Sequence, residues 1–134
     1  HVHEADCFGN CRIRGISVAD LELARASRRL IVSCERLVDT EQIRREPWHT
    51  DIPAFCVDAV CPVPGGSYPG NMPGEYFSDE EHLRRWMEVE ADVGSLRAFV
   101  DEYVYGVADF AGYLARCGGD ARLAELRDLE RREG

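Results

Sequence analysis

Ser67 follows two glycines, and the run Gly65-Gly66-Ser67 is the place in this 134-residue sequence where neighbouring backbone N–H groups could be turned toward an anion. Alone, that signal is weak. Histidines stand at positions 1, 3, 49 and 82, scattered along the chain. His82 falls in the first turn of a helix and reads as a surface residue. Carboxylates are plentiful, but most read as helix caps or solvated faces. Asp58 differs, because it sits in an apolar run, where a carboxylate must be paired or hydrogen-bonded. A loop backbone or an arginine can satisfy it, and that structural role is favoured over a catalytic one. No G-x-S-x-G elbow, Walker loop or complete dinucleotide fingerprint is present.

Six cysteines, at 7, 11, 34, 56, 61 and 117, raise zinc and disulfide readings. Zinc sites favour tighter pairs than Cys7-x3-Cys11 and Cys56-x4-Cys61, and no histidine completes a set, so no metal is expected. Several cysteines sit in apolar runs such as Ile31-Val32-Ser33-Cys34, where a thiol behaves as a small hydrophobe. Reduced thiols in a cytoplasmic protein follow. Net charge is −9, every basic residue is arginine, and a negative surface disfavours nucleic acid. No apolar run approaches the ~20 residues of a membrane span. The first residue is histidine, and the alternation of His1-Val2-His3-Glu4-Ala5 suits a strand already under way, so the chain reads as cut from something longer.

These groups need elements to position them. Length suits one domain. Residues 1–62 read as strands and one helix, 63–77 as an ordered Gly/Pro loop, and 78–134 as helices. Residues 1–14 read as a hairpin around the turn Asp6-Cys7-Phe8-Gly9-Asn10. Ser17 should cap a helix with Val18, Leu21 and Ala24 on one face, ending near Arg28-Arg29. Leu30 to Cys34, apolar on both faces, reads as a central parallel strand. Glu41 to Arg45 suits one helical turn stopped by Pro47, and Trp48 should pack. Ala54 to Val60 reads as a second apolar run.

Val63 to Phe77 holds four of the twelve glycines, so it cannot be a regular element. Its large groups Tyr68, Met72, Tyr76 and Phe77 argue for order over disorder. Ser78 to Glu81 has the spacing of a capping box, with Leu83, Trp86 and Met87 as the buried stripe. Asp92 and Asp109 should cap two further helices, ending at Gly106 and Gly118. A fourth, from Asp120, is mostly charged and reads as solvated.

Four blocks together resemble a known family. His3-Glu4-Ala5-Asp6-Cys7-Phe8-Gly9-Asn10, Leu30 to Asp39, Thr50 to Val60, and Pro64 to Phe77 with Asp79 to Leu83 are similar, in order and spacing, to the C-terminal part of the A (alpha) subunit of family I coenzyme A transferases, glutaconate type. The resemblance runs to about Gly119. It implies an α/β fold: the C-terminal portion of an open α/β/α sheet with a helical C-terminal layer. It implies transfer of CoA between an acyl-CoA and a free (di)carboxylic acid, through a glutamate on a partner B subunit. No bound cofactor is implied, since the coenzyme A thioester is substrate.

The implied partners are the B subunit, together with the preceding part of the A subunit, and no membrane is involved. No catalytic residue is assigned within this chain. Asn10, Ser67, Tyr68 and Asn71 are the candidate substrate-binding residues, because amide and hydroxyl groups on a rigid loop suit a carboxylate. They could equally satisfy their own backbone. A CoA-thioester ring-opening hydrolase of the same fold and a non-catalytic interaction domain are the alternatives. Lacking its first half, such a chain should expose a sheet edge and an apolar face.

Overall fold

The computed structural model describes residues 1–133. Its contacts gather into two compact units, His1–Ser67 and Tyr68–Gly134.

In the first unit the sheet has the order β2-β1-β3-β4. Strand β1 (Val2–Ala5) pairs antiparallel with β2 (Cys11–Arg12) and parallel with β3 (Ile31–Leu37), which pairs parallel with β4 (Ala59–Pro62). The β1–β2 turn forms because the Asp6 carboxylate accepts bonds from the backbone amides of Phe8 and Asn10 and from the Asn10 side chain. Gly9 closes it at φ +98, and a Cβ there would meet the Val57 side chain at 2.7 Å. Helix α1 (Asp20–Ala26) lies between the parallel neighbours β1 and β3 and, with β3, makes the helix-then-strand half of a βαβ unit. The core is Val2, Ala5, Cys11, Ala24, Val32, Cys34 and Ile52. Burial pushes the Cys11 thiol up to about 12, which keeps it protonated and apolar in this core.

The residue before α1 is Ala19, with no side-chain cap, because the Ser17 hydroxyl donates to the Asp20 carboxylate instead. Val18 is exposed, and Ala24 is what α1 buries. Helix α2 (Thr40–Arg45) is longer than one turn, since Asp39 accepts from the Glu41 amide at its start. Pro47 then opens a 3-10 turn, Pro47–His49, that leaves Trp48 73% exposed rather than packed. The Ala54–Val60 run splits into a 3-10 turn, Ala54–Cys56, and the start of β4. Asp58 lies exposed at that join, where it accepts from Leu30 N and Arg29.

The second unit is helical. Its helices are α3 (Glu80–Val89), α4 (Val93–Val100), α5 (Phe110–Arg116) and α6 (Gly119–Glu133). Asp92 and Asp109 cap α4 and α5 as expected, accepting from Ser95 N and Gly112 N. A π-helical segment, Asp101–Tyr105, extends α4 to Gly106. Residues 68–77 form an ordered wrap in which Met72 and Tyr76 bridge, and Tyr68, Met72 and Tyr76 pack against Leu123 and Leu126. Thus α6 is not a solvated tail, because its spacing of three buries two leucines despite the surrounding charge. No helix among the described residues is long and apolar enough to cross a membrane.

Candidate functional site

Each unit carries some of the candidate residues. In the first unit, Asn10 uses both ends of its amide internally: Nδ2 donates to Asp6 Oδ2 at 2.9 Å and Oδ1 accepts from Ala54 N at 3.1 Å. The residue therefore fixes the β1–β2 turn to the segment after Ile52. The Asp6 carboxyl, which burial alone would raise, is held below its ordinary value by these bonds from Asn10 and Phe8.

The Gly65-Gly66-Ser67 turn already has its anion. Gly65 N donates to the Glu35 carboxylate at 2.9 Å, and Gly66 N donates to Val63 O. Glu35 is buried, and its other oxygen lies 2.8 Å from His1 Nε2, while His1 Nδ1 is 2.8 Å from the Ser33 hydroxyl. A Cβ on Gly66 would stand 2.7 Å from the His1 ring, so glycine is required for this close approach. Ser67 is half-buried beside that turn.

In the second unit, Tyr68 and Asn71 part company: Tyr68 is buried and Asn71 is exposed. Tyr68 Oη donates to Asp79 Oδ2 at 2.7 Å. Asp79, 3% exposed, is the hub, because it also accepts from Arg122 Nε and Nη2 at 3.0 and 2.8 Å and from His82 N at 3.1 Å. Asp79, rather than Ser78, therefore caps α3, while the Ser78 hydroxyl contacts Glu80. Burial would raise the Asp79 carboxyl, but the bonds from Arg122, Tyr68 and His82 N outweigh it and hold the group well below the carboxylate range. The Tyr68 hydroxyl is pushed up by burial and by its bond to Asp79, so it is a donor at any ordinary pH.

His82 corrects the surface assignment: it is 8% exposed and ringed by Tyr68, Phe99, Tyr103 and Tyr113, with centroids 4.9–6.1 Å away. Burial lowers its pKa against the pull of Asp79. Of the expected stripe, Leu83 is half-buried while Trp86 and Met87 are exposed. On one side of this cluster lies an apolar cavity of about 680 Å³, walled by Tyr68, His82, Trp86, Phe99, Tyr103 and Phe110. On the other is a polar cavity of about 280 Å³ that includes Arg85, Arg116, Cys117 and Arg122. Asp79 and Arg122 were missed in the sequence because their pairing spans 43 residues and leaves no local spacing to read. No group of three or more metal-ligating side chains occurs among the described residues.

A four-stranded mixed sheet preceding a helical unit defines the class when set beside solved proteins. The chain aligns over 94% of its length with the crystal structure of glutaconate coenzyme A-transferase from Acidaminococcus fermentans, with a TM-score of 0.90 and 36% identity, covering 39% of that chain. Its relatives agree. It is 35% identical over 127 residues to the A subunit of glutaconate CoA-transferase from that organism, and 34% identical over 117 residues to the A subunit of 3-oxoadipate CoA-transferase from Pseudomonas knackmussii. An Archaeoglobus fulgidus protein of uncharacterised function is 48% identical over 130 residues. These matches take in 95%, 87% and 97% of this chain, but the chain spans only 39%, 40% and 29% of the respective relatives. No protein-family model matches the chain. The chain is thus homologous, over nearly all of its own length, to part of the CoA-transferase A subunits, and it has their α/β fold.

Proposed function

We propose that this chain serves as the C-terminal portion of a CoA-transferase A subunit, working with a B subunit to move coenzyme A between an acyl-CoA and a free (di)carboxylic acid. The observation that supports this most is the close fold match to glutaconate CoA-transferase at 36% identity. In this reading the nucleophile is a glutamate of the B subunit. Its carboxylate attacks the thioester carbonyl and expels CoA thiolate, leaving an acyl–glutamyl anhydride. The thiolate attacks the glutamyl carbonyl and releases the first acid. The second acid then attacks the glutamyl thioester, and its anhydride is opened by the returning thiolate. Splitting one exchange into such steps is covalent catalysis.

This chain contributes no nucleophile to that sequence. Its part is pocket wall and subunit contact, with Asn10, Ser67, Tyr68 and Asn71 as the substrate-binding candidates. Tyr68 would enter through its ring, which lines the apolar cavity, since its hydroxyl is already donated to Asp79. In this reading the assembly works in the cytoplasm.

Isotope exchange tests this. The assembly is incubated with an acyl-CoA and the labelled free acid. Label should enter the thioester, with no net loss of thioester. Thioester loss with free CoA accumulating would assign the fold to hydrolysis instead, and absence of both would contradict the reading.

A further inference from the structure

The first unit brings three side chains together in an order that supports nucleophilic chemistry: Ser33, His1 and Glu35. Val2 stands opposite Cys34 in the parallel pair of β1 and β3, and side chains alternate along a strand, so His1 falls on the face that Ser33 and Glu35 share. The imidazole lies between them. Its Nε2 is 2.8 Å from Glu35 Oε1, and its Nδ1 is 2.8 Å from the Ser33 hydroxyl. A carboxylate only accepts, so in the neutral ring Nε2 carries the proton and Nδ1 offers its lone pair. The Ser33 O–H therefore donates to Nδ1.

The rest of the network holds this arrangement in place. Gly65 N donates to the second Glu35 oxygen at 2.9 Å, which fixes the carboxylate from its far side. Gly66 packs against the imidazole and leaves the ring little room to turn. Ser33 is half-buried and its bond to His1 lies at the exposed end of the network, so a small molecule can reach the hydroxyl. A hydroxyl within ~2.6–3.2 Å of a base that a third group orients is the signature of an activated nucleophile. Such sets are defined by geometry and roles, whatever their order in the chain.

The same turn limits the substrate. Gly65 N and Gly66 N are already bonded, to Glu35 and to Val63 O, so neither serves a developing oxyanion. Lacking one such donor costs about 10²–10³ in rate, which an ester with a good leaving group can tolerate and an amide cannot.

We propose that Ser33 is a nucleophile that takes the acyl group of a small activated carboxylic ester, an aryl ester in particular, with His1 as its base and Glu35 positioning the imidazole. The bond from Ser33 Oγ to the acyl carbon forms and the bond from that carbon to the phenolic oxygen breaks. The hydroxyl proton passes to His1 Nδ1 and from there to the departing phenolate. Water then attacks the acyl-serine, gives its proton to Nδ1, and releases the carboxylic acid as Ser33 takes that proton back. Phenolate leaves more readily than the serine alkoxide, so acyl-serine forms faster than it is hydrolysed. This activity goes beyond the transferase reading and needs no residue of a B subunit.

The test mixes p-nitrophenyl acetate with the full 134-residue chain and maps the acetyl group by peptide mass. Ser33 should be acetylated about a hundredfold faster than the exposed serines Ser17 and Ser27, the lower end of what a positioned base contributes. His1→Gln keeps a hydrogen-bonding side chain without a base, and it should slow Ser33 acetylation by about the same factor. Glu35→Gln should slow it too, and Glu35→Asp should restore part of the rate, a rescue that packing alone would not give. The proposal is overturned if Ser33 in the unaltered chain reacts no faster than Ser17 and Ser27, a comparison that needs no variant to fold. It is equally overturned if His1→Gln reacts at the unaltered rate.

Discussion

Asp79 and Arg122 meet across 43 residues in a two-pronged ion pair, Oδ1 to Nη2 at 2.8 Å and Oδ2 to Nε at 3.0 Å. The same carboxylate caps α3 and holds Tyr68, so one buried group joins the wrap at 68–77, the start of α3 and the first turns of α6.

Asp79→Asn keeps the size of the side chain but removes its charge. Breaking a buried pair from one side leaves the other partner uncompensated, at a cost of about 3 kcal/mol. Urea unfolding should show that loss, and Arg122→Ala should cost at least as much, because it leaves the buried Asp79 carboxylate without its cation, whereas Asp79→Asn leaves Arg122 partly exposed and still paired with Glu125. A loss under about 0.5 kcal/mol for Asp79→Asn would mean that the hub is not formed.

Tyr68→Phe tests the hydroxyl alone. It removes one hydrogen bond to a charged acceptor and leaves the ring packed, so stability should fall by about 1.5–3 kcal/mol. Tyr68→Ala should cost more, because it also opens the cluster with Met72, Tyr76, Leu123 and Leu126.

His82 makes stability depend on pH in a stated direction. Burial lowers its folded pKa below the ordinary 6.5, so the unfolded chain takes up the proton first. Stability should be fully present above about pH 6.5 and fall as pH drops through that ordinary value toward the lowered one. Asp79 works in the same direction at more acid pH, its contribution being lost below the ordinary carboxylate range. Thermal unfolding from about pH 8 to about pH 5 should show the decline, and His82→Phe should flatten it. An equal decline in the variant would assign the effect elsewhere.

Asn10→Ala should unfasten the β1–β2 turn from Ala54. Two buried or half-buried groups, Asp6 Oδ2 and Ala54 N, lose their partner, so a loss of about 2 kcal/mol is expected in urea unfolding. Asn10→Asp should be at least as damaging, because it brings a second carboxylate against Asp6.

What could be read from the sequence was local. The turn at Asp6–Asn10, the caps at Asp92 and Asp109 and the parallel strand from Ile31 each depend on residues a few positions apart, and each was legible. The failures have physical causes. Ser78 and Ser17 carry cap chemistry, but a neighbouring carboxylate engages each hydroxyl. Spacing favoured Leu83, Trp86 and Met87 as the buried face of α3, but aromatic rings from α4 and α5 close over His82 instead. The anion suited to Gly65-Gly66 proved to be Glu35, supplied by β3, 30 residues earlier. Tyr68 was picked out as a site residue on its place in the loop, but its tie to Asp79 and Arg122 is tertiary and leaves no spacing signal.

The central claim is that this chain works as part of a CoA-transferase assembly, and the most direct test is native mass spectrometry of the chain purified, without denaturation, from its own cells. The account predicts a complex that contains the rest of an A subunit together with a B-type partner, and that exchanges label between acyl-CoA and free acid. A chain that travels alone at its own mass, cooperatively folded and without a partner, would contradict it.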